Sequence, residues 1–271
     1  MSTYPIIVEP FLLQDGIATE LARDVVRDMY AGVRETMDTD RNRQTTIGLS
    51  EIGMDCTKCV ARMLSGKGKP RRDSDLDGWT PMRGTMGHAY LETHFGSRPV
   101  PDGHTQVLEA TLLLHEYKGL RLSGHCDYYR KIEYVGMDPI GVVGDWKFQG
   151  ERKLLDTGKG KVSNQYLIQM NAYGLAWELA GEPVTHVVLF ALPSESHKLA
   201  DARPVLMPYD RQIVIDRLAL LDTMIDAAEI AGWDAVIDAQ PSGGPSGAYC
   251  WDCKRWNASD DTDFVSRLTG R

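Results

Sequence analysis

Two short stretches hold the residues best suited to chemistry. Asp127 closes the run Leu120-Arg121-Leu122-Ser123-Gly124-His125-Cys126-Asp127, and Asp145 and Lys147 stand in Ile140-Gly141-Val142-Val143-Gly144-Asp145-Trp146-Lys147. Both runs read as strands. Side chains on a strand alternate faces, so Val143, Asp145 and Lys147 share one face while Val142, Gly144 and Trp146 take the other. If the two strands pair antiparallel, Asp127 approaches Asp145. Two carboxylates in a partly buried site repel unless a divalent cation lies between them. That is the elementary form of a metal site for phosphate-ester hydrolysis, in which the Lys147 ammonium orients the attacking water or stabilises charge developing on phosphate oxygens. The simpler alternative is an exposed salt bridge, since Asp-x-Lys recurs by chance.

The elements that must position these residues follow from pattern. Thr80-Pro81 opens a helix, with Thr as cap and Pro at the first helical position, and Gly96 closes it; His88 and Glu92 lie one turn apart on one face. Gln106 to Glu116 reads as a strand joined to Leu120–Ile132 by the tight turn Tyr117-Lys118-Gly119. Ile140 to Phe148 is a third strand. Gly150 to Lys161 reads as a pliable basic loop, followed by a helix from Ser163 to Ala180 that Gly181 stops. On it Gln165, Gln169 and Tyr173 recur at spacings of four and make a polar stripe. Thr185 to Leu192 is a fourth strand, apolar enough for burial on both faces. Tyr209 to Ala231 is an amphipathic helix with Ile213, Leu218, Leu221 and Ile225 on its apolar side, interrupted by Arg217. Ahead of all this, Ile17 to Met37 reads as a covering helix, and Asp55 is the expected cap of a short helix beginning at Cys56.

Composition narrows the class. The 271 residues are 42% hydrophobic and 25% charged, which suits a globular protein with a sizeable core. No run is long enough to span a bilayer, and Met1-Ser2-Thr3-Tyr4-Pro5 lacks the pattern of a secretory leader. A cytoplasmic location and no membrane partner are expected. A net charge of -8 does not announce a nucleic-acid binder, so any such contact must come from local basic patches. Two segments qualify: the first carries Lys69, Arg71 and Arg72, the second Arg152, Lys153, Lys159 and Lys161. Together they form a possible channel for a phosphate backbone, or serve only solubility. Tyr128, Tyr129 and Trp146 either stack on bases or pack in the core.

Four pieces in order, Arg83-Gly84-Thr85-Met86-Gly87-His88, Gly124-His125-Cys126-Asp127, Asp145-Trp146-Lys147 and Gln169-Met170-Asn171-Ala172-Tyr173, resemble the motifs of the PD-(D/E)XK nucleases. Within them, the sequence looks like the RecB-like branch that includes the CRISPR-associated four-cysteine exonucleases. The resemblance implies an α/β fold with a restriction-endonuclease-like core, helix, three strands, helix, strand, built on a mixed sheet flanked by helices. It implies that His88, Asp127 and Asp145 hold divalent metal, that Lys147 is the catalytic lysine, and that Gln169 and Tyr173 steady the substrate strand or the site. An imidazole among hard carboxylates makes manganese at least as suitable as magnesium. His125 is expected to point away from Asp127 and to be structural, and Cys126 to be a core thiol. The expected division is a helical region over 1–79, the nuclease core over 80–200, and a C-terminal helix and linker over 201–271.

The remaining cysteines form two Cys-x-x-Cys pairs, Cys56/Cys59 and Cys250/Cys253, before and after the core. In a reducing compartment these read as metal ligands rather than disulfides. Four thiolates round one centre would clasp the chain ends into a common lobe. In the nucleases that the sequence resembles, a 4Fe-4S iron-sulfur cluster does this with one cysteine before the core and three after. The two-and-two distribution here departs from that pattern, and it also describes a structural zinc. The implied activity is metal-dependent exonucleolytic hydrolysis of DNA at ends or on single strands, for recombination, repair or viral DNA processing, with a second copy or a recombination protein as possible partner. An endonuclease of the same fold, or a non-catalytic DNA-binding or adaptor module clasped by metal, are the competing expectations.

Overall fold

A computed structural model of the chain describes residues 47–67, 79–196, 198–243, 250, 252–254 and 256, with Val25, Asp28 and Met29 besides. The expected covering helix at Ile17–Met37, and Lys69, Arg71 and Arg72, therefore fall outside the described residues, those three positions excepted. The chain divides into two compact units, Met1–Arg41 with Arg72–Met82, and Asn42–Arg71 with Arg83–Arg271.

The second unit's elements in chain order are α1 (Thr57–Leu64), α2 (Trp79–Ser97, whose first residues belong to the other unit), β1 (His104–Tyr117), β2 (Leu120–Ile132), β3 (Ile140–Gln149), α3 (Glu151–Gly158), α4 (Asn164–Leu179), β4 (His186–Pro193), β5 (Arg203–Pro208), α5 (Arg211–Ala231) and α6 (Trp233–Ala239). The strands form one sheet in the order β1-β2-β3-β4-β5. β1, β2 and β3 make an antiparallel meander, β4 joins β3 in parallel, and β5 returns antiparallel at the edge. A parallel neighbour requires a long crossover, and the stretch carrying α3 and α4 supplies it. The expected order of helix, three strands, helix and strand is thus present as α2, β1 to β3, α4 and β4. The fold is α/β, a mixed sheet flanked by helices, with four cysteines gathered near the chain ends.

The hairpin between β1 and β2 turns on Lys118 and Gly119, both at positive φ (44° and 88°), the paired left-handed conformation that matches strand twist. α4 is the central helix. Every residue from Ile168 to Trp177 on it is buried, so it has no solvent face, and the Gln165, Gln169 and Tyr173 stripe points into the protein. Trp177 stacks on Tyr129 with ring centroids 4.3 Å apart, over Val143, Val187 and Leu189 of the sheet. α5 buries Val214, Leu218 and Leu221, and Arg217 is no interruption: its half-buried guanidinium donates to the carbonyls of Ile52 and Met54, the latter at 2.6 Å. Burial lowers the Arg217 pKa, the cost of holding the Gly48–Met54 turn in place.

Four local expectations are corrected. The basic stretch after Gly150 is helical, not a loop, because Leu154 and Thr157 fall one turn apart on a buried face and Thr157 Oγ1 donates to buried Gln149 Oε1 at 2.9 Å. β5 was not expected at all: Pro204 and Pro208 argue against a strand, but they are tolerated on an edge, where donors go unused on one side. α2 begins before Thr80 and runs through Gly96 to Ser97. Cys56, not Asp55, stands at the cap of α1, and Asp55 instead accepts from Asn164 Nδ2 at 3.0 Å, tying α1 to α4.

Candidate functional site

The antiparallel ladder between β2 and β3 ends at Tyr128 opposite Gly144. The next rung would set Asp127 against Asp145, and there the strands part. Asp127 Oδ2 accepts the backbone N–H of Trp146 at 2.7 Å, a donor that a continuing ladder would have used. β3 stays paired to β4 as far as Gln149, so the cleft opens on the β2 side only.

Three donors gather at this opening. His88 Nδ1 from α2 lies 3.3 Å from Asp127 Oδ1 and 3.8 Å from Glu109 Oε1 of β1. One ligand atom from each of His88, Glu109 and Asp127 falls within 4.8 Å of the others. Gly87 permits the approach of α2: a Cβ there would sit 2.2 Å from the Phe148 ring, whose centroid is 6.1 Å from that of His88. His88 therefore faces the carboxylates of the sheet rather than Glu92, which is exposed.

Glu109 is the site residue that the sequence did not reveal. Counted from the Lys118-Gly119 turn, regular pairing would oppose it to Tyr128. A bulge at Leu114 shifts the register by one, so Glu109 and Asp127 stand at the rung missing between Leu108/Tyr128 and Ala110/Cys126. Glu109 itself has φ 46°, a left-handed conformation unfavourable to a residue with a Cβ, which costs on the order of 1 kcal/mol or more. Burial raises its pKa, with the Asp127 charge adding to the effect. The signal in the sequence was an acid inside the short run Val107-Leu108-Glu109-Ala110; nothing there announced the bulge.

Asp145 is 1% exposed. Lys147 Nζ lies 2.8 Å from its Oδ1 and 2.7 Å from its Oδ2, only the first contact having hydrogen-bond geometry. Gln169 Nε2 also donates to Oδ1, at 3.2 Å, and reaches Tyr173 Oη at 3.2 Å. Oδ2 is buried and accepts no hydrogen bond. Burial pushes Asp145 up to about 6, Lys147 opposes this, and Asp127 adds to it. For Lys147, burial disfavours the ammonium, but the Asp145 and Asp127 charges outweigh it and leave the pKa above the usual lysine value. The His88 pKa is also raised, mainly by its hydrogen bond to Asp127 and against the effect of burial. Three carboxylates and one imidazole are thus in electrostatic contact round an opening, with the Lys147 ammonium set against Asp145. His88, Glu109 and Asp127 offer hard oxygens and one nitrogen that fit a divalent ion, whereas Asp145, expected as a third ligand beside His88 and Asp127, falls outside this close group and is paired with Lys147.

Lys153 on α3 hydrogen-bonds Tyr166 Oη at 2.7 Å and lies 4.0 Å from its ring centroid, with Lys147 Nζ 5.6 Å from the same ring. The basic stretch therefore adjoins the site through Tyr166, with Arg152, Lys159 and Lys161 exposed nearby in sequence. The aromatic candidates for base stacking pack instead among themselves: Trp146 against Phe95, Tyr128 and Phe190, and Tyr129 against Trp177. Cys126 is a core thiol, accepting from Trp177 Nε1 at 3.4 Å, with burial pushing its pKa up to about 12. His125 does not point away from Asp127. Strand alternation gives the two one face, and His125 is exposed, close enough to act on the charge of Glu109.

The four remaining cysteines meet. Cys56 Sγ is 3.4 Å from Cys253 Sγ, and Cys59 Sγ is 3.5 Å from both Cys250 and Cys253. None is in a disulfide. A hydrogen bond from Cys59 draws the Cys56 thiol down to about 4, and that same bond, with burial, drives Cys59 far up. Four thiolates cannot coexist here without a cation.

No family model and no curated protein matches the chain. Among solved structures, an alkaline exonuclease, LHK-Exo, from Laribacter hongkongensis is similar at 10% identity and TM-score 0.37, covering 80% of this chain and 95% of that one. The same enzyme in complex with dAMP is similar at 10% identity and TM-score 0.36, over 72% of this chain and 91% of that one. SSO0001 is similar at 11% identity and TM-score 0.36, over 76% and 87%. No helix among the described residues is long and apolar enough to cross a membrane.

Proposed function

We propose that the chain is a divalent-metal-dependent deoxyribonuclease, acting as an exonuclease at DNA ends or on single strands. The observation that carries this reading is the buried Asp145–Lys147 pair standing beside the His88, Glu109 and Asp127 group where β2 and β3 part. In it, His88, Glu109, Asp127 and Asp145 hold magnesium or manganese, the imidazole favouring manganese. A divalent ion held by these residues would supply an activated water and charge neutralisation at the scissile phosphate.

The protein's own groups do the rest. Lys147, held against Asp145, serves as a cation for the phosphate oxygens and a donor that aims the nucleophile. Gln169 holds Asp145 Oδ1 and is itself placed beside Tyr173, which fixes the carboxylate's orientation. Lys153, with Arg152, Lys159 and Lys161, gives the cleft a basic flank for the DNA backbone despite the acidic total.

End-labelled linear DNA and covalently closed circular single strands, each incubated with manganese, magnesium or chelator, test the reading. Linear DNA should be shortened from its ends with either metal, and circles should survive. Circles cut as fast as linear DNA point to an endonuclease. Binding without cleavage of either substrate points to a non-catalytic module.

A further inference from the structure

The thiol group at the chain ends does not fit the cluster that the resemblance implies. In a 4Fe-4S cluster each cysteine binds a different iron, so the four sulfurs stand apart by the whole width of the cluster. Here the three measured separations are 3.4, 3.5 and 3.5 Å, and all four sulfurs lie within 4.8 Å of one another. A single ion bound tetrahedrally by four thiolates at about 2.3 Å places neighbouring sulfurs about 3.8 Å apart. The sulfurs need move only by tenths of an ångström to reach that arrangement, whereas a cluster would have to push α1 away from the Cys250–Trp256 segment.

We propose that Cys56, Cys59, Cys250 and Cys253 bind one zinc ion in a closed tetrahedral site. Two further features belong to such a site. Backbone N–H groups point at the sulfurs, Gly243 N to Cys56 Sγ at 3.4 Å and Cys253 N to Cys250 Sγ at 3.5 Å, where they offset thiolate charge. Cys56, Cys59 and Cys253 are at most 5% exposed and Cys250 is partly buried, and four thiolates fill a tetrahedral ion's positions without leaving one for substrate. The ion would join α1 to a segment about 190 residues later in the chain, as a structural clasp without redox chemistry.

Metal and sulfide analysis of the full chain tests this independently of any nuclease activity. The protein is purified anaerobically from cells supplied with both iron and zinc, as wild type and as His88→Ala with Asp127→Asn, which removes zinc from the acid site. One zinc per chain in both proteins is expected, with no acid-labile sulfide and no visible charge-transfer band. A mercurial titrating the thiols should release that zinc, and cobalt(II) in its place should give the strong visible bands of tetrahedral cobalt thiolate. Cys250→Ser with Cys253→Ser should lose the zinc; where that variant fails to fold, the wild-type cobalt spectrum decides. Brown protein with iron and labile sulfide in equal amounts overturns the proposal, as does a colourless chain holding neither metal.

Discussion

The acid site and the thiol site both crowd groups that repel when ionised, yet they are built in opposite ways. At the acid site His88 and Glu109 remain 28% and 25% exposed at the side chain, and the strands part to leave a way in. At the thiol site Cys59 is 0% exposed and every sulfur has sulfur neighbours. An open set of ligands keeps positions for water and substrate, while a closed one spends all its ligands on holding the fold. The thiol site accordingly joins segments far apart in the chain, and the acid site uses one short meander and the helix before it. The strain follows the same division, since the left-handed Glu109 lies at the open site.

The largest effect expected of any single change is on the Asp145–Lys147 pair. Lys147→Ala and Asp145→Asn should each lower the rate of DNA hydrolysis about a thousandfold or more, with the far-ultraviolet circular dichroism unchanged. Cys56→Ser with Cys253→Ser should do the reverse. It should lower the thermal midpoint by many degrees, because metal affinity of a closed site is folding free energy, while the folded fraction hydrolyses DNA at a rate within a few-fold of wild type.

Acidity separates the sites again. The Asp145, Glu109 and His88 pKa values are all raised, so these three groups bind more protons in the folded metal-free protein than in the unfolded chain, opposite in sign to the lowered Cys56 thiol. Their contribution to stability therefore falls as pH rises from the ordinary carboxylate range through about 6, and on through the raised His88 pKa. Denaturant titrations of metal-free Cys56→Ser, which lacks the thiol of opposite sign, should show a loss on the order of 1 kcal/mol or more over that window, and manganese should reverse the trend by favouring the deprotonated forms. The smallest expected effect is the most diagnostic of strain. Glu109→Gly should stabilise the metal-free protein by about 1 kcal/mol while weakening manganese binding at least tenfold.

Much of this was legible in the residues, and what was not has physical causes. That Asp145 and Lys147 share a strand face, and that antiparallel pairing brings Asp127 toward them, could be read from strand periodicity, whereas His88 came only from the motif resemblance. Gln169 and Tyr173 could be read as a stripe, but not as buried, since burial depends on what covers α4. Glu109 escaped because a bulge at Leu114 changes its partner, and bulges leave little trace in local sequence. The α3 helix was hidden by the lysines and glycines of the Gly150 to Lys161 stretch it lies in, its buried face resting on only Leu154 and Thr157. The β5 edge was hidden by its prolines. In the thiol site the spacing of the pairs was plain, but the sulfur separations on which the one-ion proposal rests exist only in three dimensions.

Calorimetric titration of manganese into the wild type, His88→Ala, Glu109→Gln, Asp127→Asn and Asp145→Asn tests most directly whether these four residues serve one ion. Saturable binding by the wild type is expected, weakened at least tenfold in each variant, with DNA hydrolysis in the wild type rising over the same range of metal concentration. Equal affinity in wild type and variants, or hydrolysis that persists in chelator, would contradict the account.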